Sequence, residues 1–146
     1  TGEWLSVHAV TFSGQASTAL YADLAENYKA DSKYEPGTVL IFGGDEEVTT
    51  TQLKDDTRVA GVVSEKPGYL MNDGLKGDNV IALALQGRVP VKVVGIVKKG
   101  DLLVSASTRG FAISNNRAGV GTVIGKAISS KDDAGAGTVE VVVGRV

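Results

Sequence analysis

The chain has 146 residues, the size of a single domain with a core of its own. Its formal charge is -2 and its 15 basic residues are scattered, with Lys98-Lys99 the sole basic pair, which argues against a dedicated nucleic-acid surface. Cysteine is absent, so there is no disulfide framework and no thiolate chemistry, and the longest apolar runs, 80–85 and 91–97, are too short to span a bilayer.

No charged-then-apolar leader opens the chain, and Thr1 is not an initiator Met, so a fragment of a longer protein is one reading. Residues 4–12, WLSVHAVTF, alternate as a strand with mixed faces, Trp4, Ser6, His8 and Val10 on one side and Leu5, Val7, Ala9 and Thr11 on the other. Residues 13–17, SGQAS, form a polar connector of small residues, so residues 1–20 read as an extended N-terminal arm and 21–146 as the domain.

Residues 18–28 are the only plausible helix, with Leu20, Tyr21, Leu24 and Tyr28 at three- and four-residue spacings. About three turns are marginal on their own, and an extended segment with Tyr21, Asp23 and Ala25 on one side competes. From Tyr34 onward Val, Ile, Thr and Leu fill the runs while Gly, Asp and Asn mark the breaks, which predicts strands throughout. Nineteen glycines, roughly twice the average share, suit tight turns between short strands. Pro90 interrupts the longest run, 80–97, and marks an edge, a bulge or a change of sheet. The terminal run 138–146 reads as a strand buried on both faces, or on one face by its own core and on the other by a neighbouring subunit.

Residues 34–64 and 99–129 share an order: a Gly-led turn, an apolar strand, a polar turn, a short strand, and a strand with a central Gly. Each then reaches a strand ending in Gly-Arg-Val, at residues 87–89 and 144–146. This reads as an internal duplication, about 34–89 and 99–146, against the alternative of two β-rich segments aligned by chance. The fold expected is all-β: a Gly-rich small barrel or sandwich of two related β-units.

Catalytic signals are weak. His8 is the single histidine, so no multi-His metal site can form, and no metal or cofactor is expected. The glycines at 119, 121 and 125 before Lys126 miss the phosphate-loop spacing, and no helix follows them. Thr1 as an N-terminal nucleophile has no oxyanion hole that can be placed. Asp45-Glu46-Glu47 and Asp55-Asp56 read as solvated turns rather than as a Ca²⁺ loop. Asp23 and Glu26 lie between apolar residues and need partners if buried, for which Arg58, Arg88 and Arg145 are candidates. Acid-base work in self-cleavage is the alternative role for Asp23 and Glu26.

Several short motifs carry a resemblance. They are Thr11-Phe12-Ser13-Gly14-Gln15-Ala16, Tyr21-Ala22-Asp23-Leu24-Ala25-Glu26-Asn27-Tyr28, Tyr34-Glu35-Pro36-Gly37-Thr38-Val39, Val59-Ala60-Gly61-Val62-Val63-Ser64 and Ala84-Leu85-Gln86-Gly87-Arg88-Val89-Pro90. Together they resemble a domain of structural proteins of tailed phages, mostly tail-fibre and appendage proteins of cyanophage-like myoviruses, over residues 10–146. More distantly, the Asp23, Ala25 and Glu26 pattern resembles autoproteolytic chaperone domains of phage appendages, and the repeated pattern resembles trimeric capsid-decoration proteins. In such domains residues 21–28 look like an extended lead-in anchored by Tyr21, Leu24 and Tyr28.

The resemblance implies a virion component, a fibre or appendage domain or a decoration protein, whose partners are itself, as a homotrimer, and other virion proteins. The arm would offer strand pairing, with Trp4, Leu5, Val7 and Phe12 as apolar anchors. A self-cleaving chaperone domain and a host-glycan-binding tip using Trp4, Tyr34 or Tyr69 are the alternatives.

Overall fold

The structure, a computed structural model, describes residues 22–144. Among them no helix forms, and ten strands follow in order: β1 (Asp23–Lys29), β2 (Val39–Phe42), β3 (Val48–Thr50), β4 (Val59–Val63), β5 (Tyr69–Met71), β6 (Val80–Val94), β7 (Leu102–Ser105), β8 (Ala112–Ser114), β9 (Val123–Ala127) and β10 (Ala136–Val143). The all-β expectation holds. The described part of the segment with helical spacing lies in β1, extended because its backbone pairs with β6 on one side and β5 on the other. A seven-residue strand with two partners gains more than an isolated three-turn helix.

β6 is the strand the rest is built on. Its first half pairs with β1 and, at Leu83 and Ala84, with β4. Its second half pairs with β10 and, at Val93, with β8. The order β6–β10–β9–β7–β8 returns to β6, which closes a five-stranded barrel. β4, β2 and β3 continue from the first half of β6, and the Ala30–Val48 bridge links β3 to the end of β1. The first set of strands therefore forms a second ring, closed by one bridge.

The two sets carry matching pairings. β2 lies antiparallel to β3 and β4, with a register shift after Leu40; β7 lies antiparallel to β8 and β9, with a shift after Leu103. Opposite Leu40 stands Gly61, and opposite Leu103 stands Gly125. A Cβ on either would strike a backbone carbonyl, that of Ala84 at 2.4 Å or of Val142 at 2.1 Å. The parallel contacts Ala30–Val48 and Val93–Ala112 also correspond, so the matching pairings begin in β1, upstream of residue 34.

Pro90 is paired on the β10 side only, with no strand on its other side, so it marks a local edge while β6 runs on through it. It stands opposite Glu140, whose N–H goes to Ser129 Oγ and whose carbonyl accepts from Ile128. The 90/140 pair is thus one that exchanges no ladder bonds, and the missing donor costs nothing there. β10 is buried on one face only: Val139, Val141 and Val143 point inward while Thr138, Glu140 and Val142 are exposed. The reading of a strand buried on both faces is therefore corrected, since the run of valines still obeys a two-residue alternation.

Two apolar clusters form the core. The larger includes Val91, Val93, Leu103 and Val141 from the closed barrel and extends to Val39 and Val62; the smaller gathers Leu40, Val48, Val63, Ile81 and Leu83. Each such side chain contributes about 1.5–3 kcal/mol by leaving water.

Loops lock the rings together. Ser105 Oγ, fully buried in β7, donates to Leu53 O at 2.7 Å and accepts from Asp56 N at 2.8 Å, pinning the β3–β4 loop. In return the β7–β8 loop reaches the first ring: Gly110 N donates to Thr51 Oγ1 at 3.0 Å and Gly110 O accepts from Val39 N at 2.9 Å. These bonds fix the groove between the rings.

Candidate functional site

That groove is an open cleft of about 850 Å³. Tyr28, Phe42, Ala60 and Leu85 line it from the first ring, and Val120, Val123, Ile124 and Val143 from the second. Tyr28 and Phe42 meet edge to face, with ring centroids 5.6 Å apart. Phe42 ends β2 on the alternation that places Leu40 in the core, yet it keeps 40% of its surface exposed. Val120 is entirely exposed on the turn before β9. Gln86 and Arg58 add polar groups, and Arg58 is the one charged side chain among the described lining residues.

Arg58 is held in place. Its Nε and Nη2 donate to the two carboxylate oxygens of Asp56 at 3.1 and 2.9 Å, a bidentate fork that leaves Nη1 for another partner. The Arg58 fork keeps the Asp56 carboxyl below the usual range, against the opposing effect of burial. Asp56 is therefore a buried tether and not part of a solvated acidic turn, as the 55–56 pair reads in sequence. The other acidic cluster does lie on an exposed turn, with Glu47 Oε1 accepting the Lys29 N–H at 2.9 Å.

Asp23 is buried too, but no arginine among the described residues pairs with it. Its carboxylate accepts the Ser64 hydroxyl at 2.6 Å and the Gly68 N–H at 3.3 Å, while its backbone carbonyl takes the same N–H at 2.8 Å. Asp23 thus ties β1 to the β4–β5 loop. Glu26 lies on the opposite face of β1 by strand alternation, so the two carboxylates do not converge on one point. Arg88 uses its backbone N–H, which donates to Ala22 O at 3.2 Å. Among the described residues, hydroxyl and backbone donors meet Asp23 and Arg58 turns to its near neighbour Asp56, while Arg145, the third expected partner, lies outside them.

Of the expected aromatic positions, Tyr34 is half-buried, its hydroxyl donating to Asp31 Oδ1 at 2.5 Å, whereas Tyr69 is 66% exposed. Leu24, expected to anchor the lead-in, is exposed at the surface, and Asp23 and Ala25 are buried instead. Trp4, Leu5, Val7, Phe12, Tyr21 and Arg145 lie outside the described residues.

Comparison with known proteins adds a likeness of fold. No family model matches the chain, and no curated protein does. Among solved structures, the chain is similar to the crystal structure of the pre-mature bacteriophage phi29 gene product 12, with a TM-score of 0.66 and 12% identity. The match covers 89% of this chain and 22% of that one, so the chain spans about a fifth of the phage protein.

Proposed function

We propose that the chain is a structural β-module of a phage particle, a fibre or appendage domain or a capsid decoration, that assembles as a homotrimer and seats on other virion proteins. The observation that carries this reading is the likeness of fold to the phi29 protein over 89% of the chain. The motif resemblance to tailed-phage structural proteins points the same way. The shared β6 and the reciprocal pinning of loops make a rigid platform, suited to bearing load rather than to opening around a substrate. The two rings are read as copies of one unit, joined through β6.

Light scattering on the chain with and without residues 1–17 tests the assembly. A mass near three chains of 15.1 kDa, falling to one chain on truncation, is the expected result. A single-chain mass in both forms would remove the homotrimer and leave a module whose partner is a different protein.

Self-processing is a second reading, because the similar phage protein is described in a pre-mature form and Asp23 is buried against a hydroxyl. Its test is the mass of the chain expressed with a longer precursor sequence. Cleavage that Asp23→Asn abolishes in a folded product would support it, and an intact precursor would remove it.

A further inference from the structure

Three observations meet beside Gly87. The apolar cleft between the rings is open, with Phe42 40% and Val120 100% exposed at its lips. A concave apolar lining with a few polar groups is a surface on which an apolar segment can dock. The first and last described strands end next to it. Asp23 at the start of β1 and Val143 at the end of β10 both stand opposite Gly87, and the neighbouring Gln86 is part of the cleft wall. Residues 1–21 therefore join the domain at the cleft's edge.

That segment has the chemistry to fill the cleft. Residues 4–12 alternate as a strand and carry Trp4, Leu5, Val7 and Phe12. Its single formal charge is Glu3, next to Trp4, and the one charged side chain among the described lining residues is Arg58, with Nη1 outside the Asp56 fork. A carboxylate beside an apolar anchor matches a guanidinium beside an apolar wall. From Phe12 to Ala22 an extended chain spans up to roughly 33 Å, more than the roughly 15 Å radius of gyration of a domain this size. The segment can thus pass beyond its own domain to the next.

We infer that the cleft receives residues 3–12 of a second copy of this chain, with Trp4 seated between Phe42, Tyr28 and Val123 and Glu3 on Arg58. The inference rests on the assembly reading above and names where the arm docks. Trp4 is the chain's single tryptophan, so its emission reports docking directly. Its indole N–H finds an acceptor in the Gln86 side-chain amide on the same wall.

The experiment measures Trp4 emission and native mass together on the full chain. Its variants are Phe42→Glu and Val120→Glu on the cleft, Tyr69→Glu on exposed β5 as a control, and a deletion of residues 1–17. Val120 and Tyr69 are exposed enough for their variants to fold, which a melting curve checks. The expected result is blue-shifted emission in the assembled parent. Both cleft variants then red-shift it and weaken assembly about tenfold or more, as loss of a buried aromatic anchor does, while Tyr69→Glu leaves it unchanged. If the deletion dissociates the assembly but Phe42→Glu and Val120→Glu change neither readout, the docking site is wrong and the assembly reading survives. If the parent is a single chain whose Trp4 emission still responds to the cleft variants, the segment docks on its own domain, and both the second-copy occupant and the assembly reading fall.

Discussion

Replacing Gly87 by Ala tests the claim that one close approach joins the two rings. Gly87 has a φ of 107°, and a Cβ built on it lies 2.2 Å from Ala22 O and 2.8 Å from Asp23 Cα. The positive φ alone costs about 1–2 kcal/mol for an L-residue. The collision adds to this, because its targets are backbone atoms that cannot rotate away. The start of β1 must back off, which breaks the Arg88 N–Ala22 O bond and loosens the hold of Asp23 on Ser64 and Gly68. Lost bonds of this kind cost about 1 kcal/mol each, more where a buried carboxylate is left unmatched. The total is about 3–5 kcal/mol, against a stability of about 5–15 kcal/mol for the whole domain. Gly95→Ala is the control, since Gly95 has a φ of 83° but a Cβ there would meet nothing within 4 Å, so only the backbone strain applies. Urea denaturation followed by circular dichroism gives both values. A Gly87→Ala loss within about 0.5 kcal/mol of the Gly95→Ala loss would refute the collision, and with it the idea that Gly87 marks where β1 and β10 meet on β6.

Ser105→Ala strands the buried Asp56 N–H and Leu53 O, and should cost about 1–3 kcal/mol in the same assay; a loss under about 0.5 kcal/mol would show that the loop is held elsewhere. The Asp56 and Asp101 carboxyls titrate below their unfolded range, Asp56 chiefly through the Arg58 fork and Asp101 through the Ser114 hydroxyl, the Asn116 amide and the Lys98 N–H. Their folded forms release protons more readily than the unfolded chain, so their contribution is present above the unfolded carboxylate pKa near ~3.9 and is lost as pH falls below it. Denaturation midpoints should fall on acidification through that window, and Asp101→Asn should flatten part of the slope; an unchanged slope would contradict the assignment. Asp23→Ala should lower stability by about 1–3 kcal/mol by freeing the β4–β5 loop, with faster amide exchange at Gly68 as its local signature.

The two-residue alternation of the Val/Ile/Thr runs and the Gly, Asp and Asn breaks specify an all-β chain, because they act over neighbouring residues. The matched glycines at 61 and 125 were legible for the same reason: a strand with a central Gly is a local pattern. β1 was only half legible. Its spacing suits a helix equally, and pairing with β5 and β6, distant in sequence, makes it a strand. Asp56 looks like a solvated turn residue until Ser105, 49 positions away, is seen to hold its backbone. The cleft was not legible at all. Phe42, Leu85 and Gln86 read as ordinary members of apolar strands, and their shared exposure depends on where the second ring stops covering the first. Local patterning determined that this protein is built of strands; long-range closure around β6 decided which side chains are buried and which are left exposed in the cleft, because burial depends on contacts between residues far apart in the chain.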